Sequence, residues 1–159
     1  MQELVLIFNV IDKLFDSCNI DYTELVNSQI STNFFDNYDN QRVINSFLFN
    51  FAKIQDKIGS KLFRKILLEL KEIDNEAVPM KDMLNLLEKL KIINSTNDWD
   101  KLRELRNLLA HEYPFSIQER IENIHLALDG YDILKNIYIN IKRFCLKEHG
   151  YEIIDSCRV

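Results

Sequence analysis

The chain has 159 residues, with 20 basic against 25 acidic side chains for a net charge of −5, and only three glycines and two prolines. So few turn-formers exclude a sandwich or a barrel and favour long helices, and the acidic balance argues against a non-specific nucleic-acid binder without excluding an enzyme with a local basic patch. Cys18, Cys145 and Cys157 are odd in number and form no C-x-x-C pair, so neither a disulfide framework nor a zinc site is expected and the compartment is read as the cytoplasm.

Leu4, Ile7, Phe8, Ile11, Leu14 and Phe15 recur at three- and four-residue spacing, which predicts an amphipathic helix over 2–17. The start has no basic region before its short apolar run, and no stretch approaches the roughly 18 apolar residues of a membrane span, so neither a signal peptide nor a membrane partner is expected. Cys18 to Tyr22 reads as a break, and 23–35 as a short second helix or a continuation of the first. Residues 35–40 are turn-rich, with Asp39 or Asn40 as the expected N-cap.

The strongest helical pattern runs from Gln41 to about Ile73. Phe47, Phe51, Ile54, Ile58 and Leu62 fall in one narrow sector at about 100° per residue. Phe49, Phe63 and Leu67 form a second sector nearly opposite, with Asp56 and Ser60 among them. A helix apolar on two faces needs two packing partners: its own core and a second subunit, or two walls of one monomer. Gly59 in mid-helix marks a close approach or a slight kink.

A polar connection over 74–79 puts Pro79 in the first turn of the next helix, near 80–92. Residues 95–98 supply caps before Trp99, and that helix runs to about His111. Pro114 disfavours helix at Tyr113, which is expected to project into a loop. Ser116 and Glu119 form a capping box that opens a last helix reaching about Glu148. With no strand alternation and no repeat, the expected fold is all-α, an up-and-down bundle of about five helices in a single domain over 1–159.

The chemistry is concentrated in Leu105 to Pro114, which holds Arg106, Asn107, His111 and Tyr113. Two other pairs imitate its spacing. Arg120 and His125 sit inside the last helix, where a solvated Arg and a partly buried His are expected; Arg143 and His149 end it, His149 facing the helix dipole. Only the first pair has Asn after the Arg, Ala before the His, and Tyr-Pro at a helix end.

RNA carries its own nucleophile, the 2′-hydroxyl, so a metal-free nuclease needs a base, an acid and cationic help for the phosphorane. His111 suits the first or second role and Arg106 the third, because a guanidinium offers several donors to phosphate oxygens. Asn107 orients Arg106 or holds the helix end. No acidic pair or His cluster reads as a metal site, so no metal or other cofactor is expected. Residues five apart lie about 140° apart around a helix, so Arg106 and His111 of one chain diverge unless the helix ends first or two chains share the site. Asp56, taken as buried on the second apolar face, would need a partner. It is either one half of a structural ion pair with Lys or Arg, or the group that orients His111 or Arg106.

The pattern R-x4-H-x-Y, opening as Arg106-Asn107 and closing as Ala110-His111, resembles the HEPN superfamily, and within it the HepT-like RNase toxins paired with minimal nucleotidyltransferase antitoxins. The likeness extends to Phe51–Arg64, which resembles the central helix of that group, and to Leu86–Leu90, Trp99 and Leu102–Asn107, which resemble the lead-in to its motif. The resemblance implies a HEPN-like two-fold homodimer with its two motifs facing each other across one cleft. It implies an endoribonuclease toxin that cleaves tRNA or other cellular RNA without metal. It also implies a nucleotidyltransferase partner that transfers AMP to Tyr113 and so neutralises the toxin. Annotations within the same group imply an alternative, a non-catalytic substrate-binding or regulatory subunit of a nucleotidyltransferase.

Overall fold

The apolar spacing that begins at Leu4 does not stop at the expected break. In the computed structural model, which describes residues 2–110 and 116–149, α1 runs unbroken over Gln2–Val26. Cys18 to Tyr22 contains neither glycine nor proline, and tertiary contacts hold it in line. The Cys18 thiol is buried and donates to the Phe47 carbonyl at 3.8 Å. The Tyr22 ring lies 4.6 Å from that of Tyr131, and its hydroxyl donates to the Asp132 carboxylate at 2.8 Å. Packing outweighs the weak helix preference of Asn and Asp here.

A 3₁₀ turn over Thr32–Asp36 leads to Asn37, whose side chain accepts from the N–H groups of Asp39 and Asn40. The cap is therefore Asn37 rather than Asp39 or Asn40, and α2 (Tyr38–Lys57) opens earlier than expected. It continues through a π turn (Ile58–Leu62) into α3 (Phe63–Glu69). The first apolar sector is buried throughout, from Phe47 to Leu62.

The second sector is not a free face. Phe63 and Leu67 are fully buried inside the same chain, and only Phe49, 60% exposed, stands out. The π turn is the reason. The Phe63 N–H bonds to the Ile58 carbonyl five residues back, and the extra residue sets everything after it back by about 100°. Phe63 and Leu67 are thereby turned into the core that Ile58 and Leu62 already face.

Both ends that follow are closed by lysines in the left-handed region, Lys71 (φ 58°) and Lys91 (φ 59°). Glu72 N–H returns to Leu67 and Ile92 N–H to Leu87, so each helix finishes in a Schellman turn. Pro79 takes the N-cap position of α4 (Met80–Lys89), just outside the first turn. The Ser95 hydroxyl accepts from Asn97 N–H at the start of α5 (Thr96–Ala110). Ser116 accepts from Glu119 N–H to open α6 (Ile117–His149), the Ser half of the expected capping box.

The described residues are helical, with no strand among them, and one continuous core runs from Leu4 of α1 to Cys145 of α6. The two ends of the sequence are joined by Lys142, whose ammonium meets both oxygens of Asp12 at 2.6 and 2.8 Å, while the Tyr138 hydroxyl donates to the same carboxylate. Among the described residues no helix is long and apolar enough to cross a membrane.

Candidate functional site

Two glycines let α5 approach its neighbours. A Cβ at Gly59 in the π turn would lie 2.8 Å from the Trp99 ring, and one at Gly130 of α6 would lie 2.4 Å from Leu105 Cδ2. The close approach expected at Gly59 is thus made by an aromatic ring. Trp99 also meets the Phe63 ring edge-on at 4.6 Å, and with Leu102 it buries one face of α5.

That seating fixes what the rest of α5 presents. Arg103, Arg106 and Asn107 share a face by their three- and four-residue spacing, and they line an open cleft of about 280 Å³ against Asp56 and Ser60. One Arg106 Nη donates to Asp56 Oδ2 at 2.9 Å across the two helices. The Ser60 hydroxyl donates to the Asp56 backbone carbonyl, and Arg103 pairs with Asp100 one turn before it at 3.7 Å.

Asp56 is not the buried carboxylate expected from the sequence: its side chain is 50% exposed and that of Arg106 is 47% exposed. Phe63 and Leu67 have rotated into the core, which leaves Asp56 on the open side of the helix. A pair this wet contributes about 0–1 kcal/mol to stability. What it does is hold one edge of a guanidinium at the wall of the cleft. The cleft carries two guanidinium groups against one carboxylate in a chain of net charge −5, a local reversal of sign that suits an anion.

The structure brings together Arg106, Asn107 and Asp56. His111 and Tyr113 lie outside the described residues, as do Cys157 and the loop into which Tyr113 is expected to project. Of the rival pair, His125 is exposed rather than partly buried, and Arg120 is half-buried with its guanidinium 4.3 Å over the Phe35 ring. The expected roles of those two are exchanged, and neither lines the cleft.

Two polar lining residues were missed in the sequence. Arg103 was legible, because it precedes Arg106 by three residues. Gln55 stands on the apolar stripe between Phe51 and Ile58, and that position foretold a buried amide. It is 3% exposed, and its Oε1 has no hydrogen-bond partner among the described residues.

Elsewhere, burial pushes the Cys18 thiol up to about 12 and the Cys145 thiol up to about 11, so both are protonated at neutral pH and neither is a nucleophile. Among the described residues no three His, Cys, Asp or Glu side chains are grouped as a metal ion would need. No protein-family model matches the chain, and no curated protein or solved structure matches it.

Proposed function

We propose that the protein is a metal-independent endoribonuclease of the HepT-like kind, a HEPN toxin neutralised by a minimal nucleotidyltransferase. The observation that carries this reading is the Arg106–Asp56 pair at the cleft. It aims a permanent cation with spare donors at an open space on an otherwise acidic molecule, as a phosphate-clamping residue requires.

In this reading Arg106 takes the phosphate oxygens and stabilises charge as the phosphorane forms. His111 handles the proton, either drawing it from the 2′-hydroxyl or giving it to the leaving 5′-oxygen, and Asn107 steadies the Arg106 end of the helix. The bond from phosphorus to the 2′-oxygen forms as the bond to the 5′-oxygen breaks, leaving a 2′,3′-cyclic phosphate. A second copy brings its own motif to the cleft. Phe49, exposed two turns before Asp56 on the same side of α2, offers that copy an apolar contact. Tyr113, two residues past His111, receives AMP from the partner, whose added charge and bulk then compete with RNA for Arg106. The free thiols of Cys18 and Cys145 fit a reducing cytoplasm.

The test is purified protein incubated with total RNA and with tRNA in EDTA. Cleavage is expected from the wild type and from His125→Ala, and is expected to be lost in His111→Ala. A wild type that leaves RNA intact overturns the reading and favours the non-catalytic subunit. Intact-mass measurement after co-purification with a cognate nucleotidyltransferase is expected to show added adenylate that Tyr113→Phe does not acquire.

A further inference from the structure

A buried amide with no partner is a costly thing to keep in an apolar wall. Phe51, Ile54 and Ile58, the buried neighbours of Gln55 on its own stripe, offer its side chain no hydrogen bond. An unmatched buried acceptor loses its hydration without compensation, whereas an apolar side chain of the same size would lose nothing. Amide oxygen and nitrogen exchange places on rotation by half a turn; either way, the buried end of Gln55 lacks a mate. Nothing among the described residues accounts for glutamine here. The one distinctive fact about its position is that it lines the same cleft as Arg106 and Arg103.

The cleft therefore joins two unlike demands. Its guanidinium groups ask for an anion, and the amide asks for a neutral group that can both donate and accept. An ionised phosphate carries only acceptors, so it satisfies the first and cannot satisfy Oε1. A nucleotide carries both kinds of group in one molecule: a phosphate and, one sugar away, a base edge with donor and acceptor side by side. That edge is the complement of a carboxamide.

We propose that Gln55 is the base-recognising residue of the cleft, hydrogen-bonding a nucleobase edge while Arg106 holds the adjoining phosphate. This rests on the nuclease reading in taking Arg106 as the phosphate site, and it adds that cleavage is selective among bases rather than indifferent to them.

Binding of the four nucleoside 5′-monophosphates and of ribose 5-phosphate to the full-length protein, followed by calorimetry or NMR, tests it without any bond being cut. The wild type is expected to hold at least one nucleotide about tenfold tighter than ribose 5-phosphate, the worth of a hydrogen bond to a buried group. In Gln55→Leu that preference disappears, while the melting temperature stays level or rises because no internal hydrogen bond is lost. A merely structural glutamine predicts the opposite, a lowered melting temperature with the preference intact. Gln55→Met, unbranched and of similar length, repeats the measurement should the leucine variant fail to fold. Equal binding of nucleotide and sugar phosphate, no nucleotide binding at all, or a preference that survives both substitutions overturns the proposal. RNA cleavage with no base preference would sink this inference alone; base-selective binding by a protein that cuts no RNA would sink the nuclease reading alone.

Discussion

Asp12–Lys142 and Asp56–Arg106 are both carboxylate–cation pairs between distant helices, at 2.6 and 2.9 Å. They do opposite work. Lys142 is 8% exposed, gives its ammonium to both oxygens of Asp12, and shares that carboxylate with the Tyr138 hydroxyl. Little of that arrangement reaches solvent, with Asp12 17% exposed. Arg106 gives one donor to Asp56 on the rim of a cleft, with solvent on the other side. The first pair joins α1 to α6 inside the packed fold; the second leaves a cation half-exposed beside an open cleft. Distance and charge do not separate a strut from a site. The number of donors left over, and what they face, does.

Breaking the open pair should affect chemistry far more than folding. Arg106→Ala is expected to lower RNA cleavage by about 10²–10⁴-fold while shifting stability by no more than about 1 kcal/mol, read by a cleavage assay beside urea denaturation. Asp12→Ala should do the reverse. Taking the carboxylate from an ammonium so little exposed is expected to cost about 3–5 kcal/mol in urea denaturation, with the folded fraction cutting RNA as well as before. If Asp12→Ala is stable and Arg106→Ala unfolds, the two regions have been assigned the wrong way round.

Gly59→Ala probes where the two regions meet. Its new methyl would press on Trp99, whose ring seats α5, so a loss of about 1–3 kcal/mol is expected despite the better helix propensity of alanine. Cleavage should fall as well, because α5 carries Arg103 and Arg106. A thermal melt and a cleavage assay on one preparation check both.

The last expected effect is alkaline. Burial raises Cys18 from 9.0 and Tyr22 from 10.0, each to about 12, and raises Cys145 from 9.0 to about 11. The folded chain keeps these protons after an unfolded chain has released them, so stability is full below pH 9 and declines as pH climbs from there toward 12. All three groups belong to α1 and α6, the strut side of the molecule. Denaturant midpoints measured across that interval should fall, and a flat profile would contradict the burial of these groups.

Most of the helices and the first apolar stripe of α2 were legible because they depend on spacing within one segment. Arg106 and Asn107 were singled out by the resemblance of their motif to a known family rather than by residue chemistry alone, and Asp56 by its place among apolar residues on the second face of the central helix. What escaped the sequence were effects of distant partners. Cys18 to Tyr22 stays helical because Phe47, Tyr131 and Asp132 meet it from other helices. Asn37 won the cap from its neighbours by geometry rather than by residue type. Arg120 is half-buried because Phe35, far away in sequence, stacks under its guanidinium. The sector count in α2 failed for a more local reason, since it assumed one rotation per residue from Gln41 to Ile73.

That last failure has a consequence for how this chain could change. The same five residues wound as regular α-helix would turn Phe63 and Leu67 outward, emptying the space beside Trp99 and creating a sticky ridge. Removing one residue between Ile58 and Leu62 would instead restore regular helix and keep both facing the core. Whether the aromatic ring of Phe63 belongs to the interior or to a surface seeking another molecule is decided by one residue of helical register, taken up in a single turn. In this protein the border between folding and assembly is one residue wide.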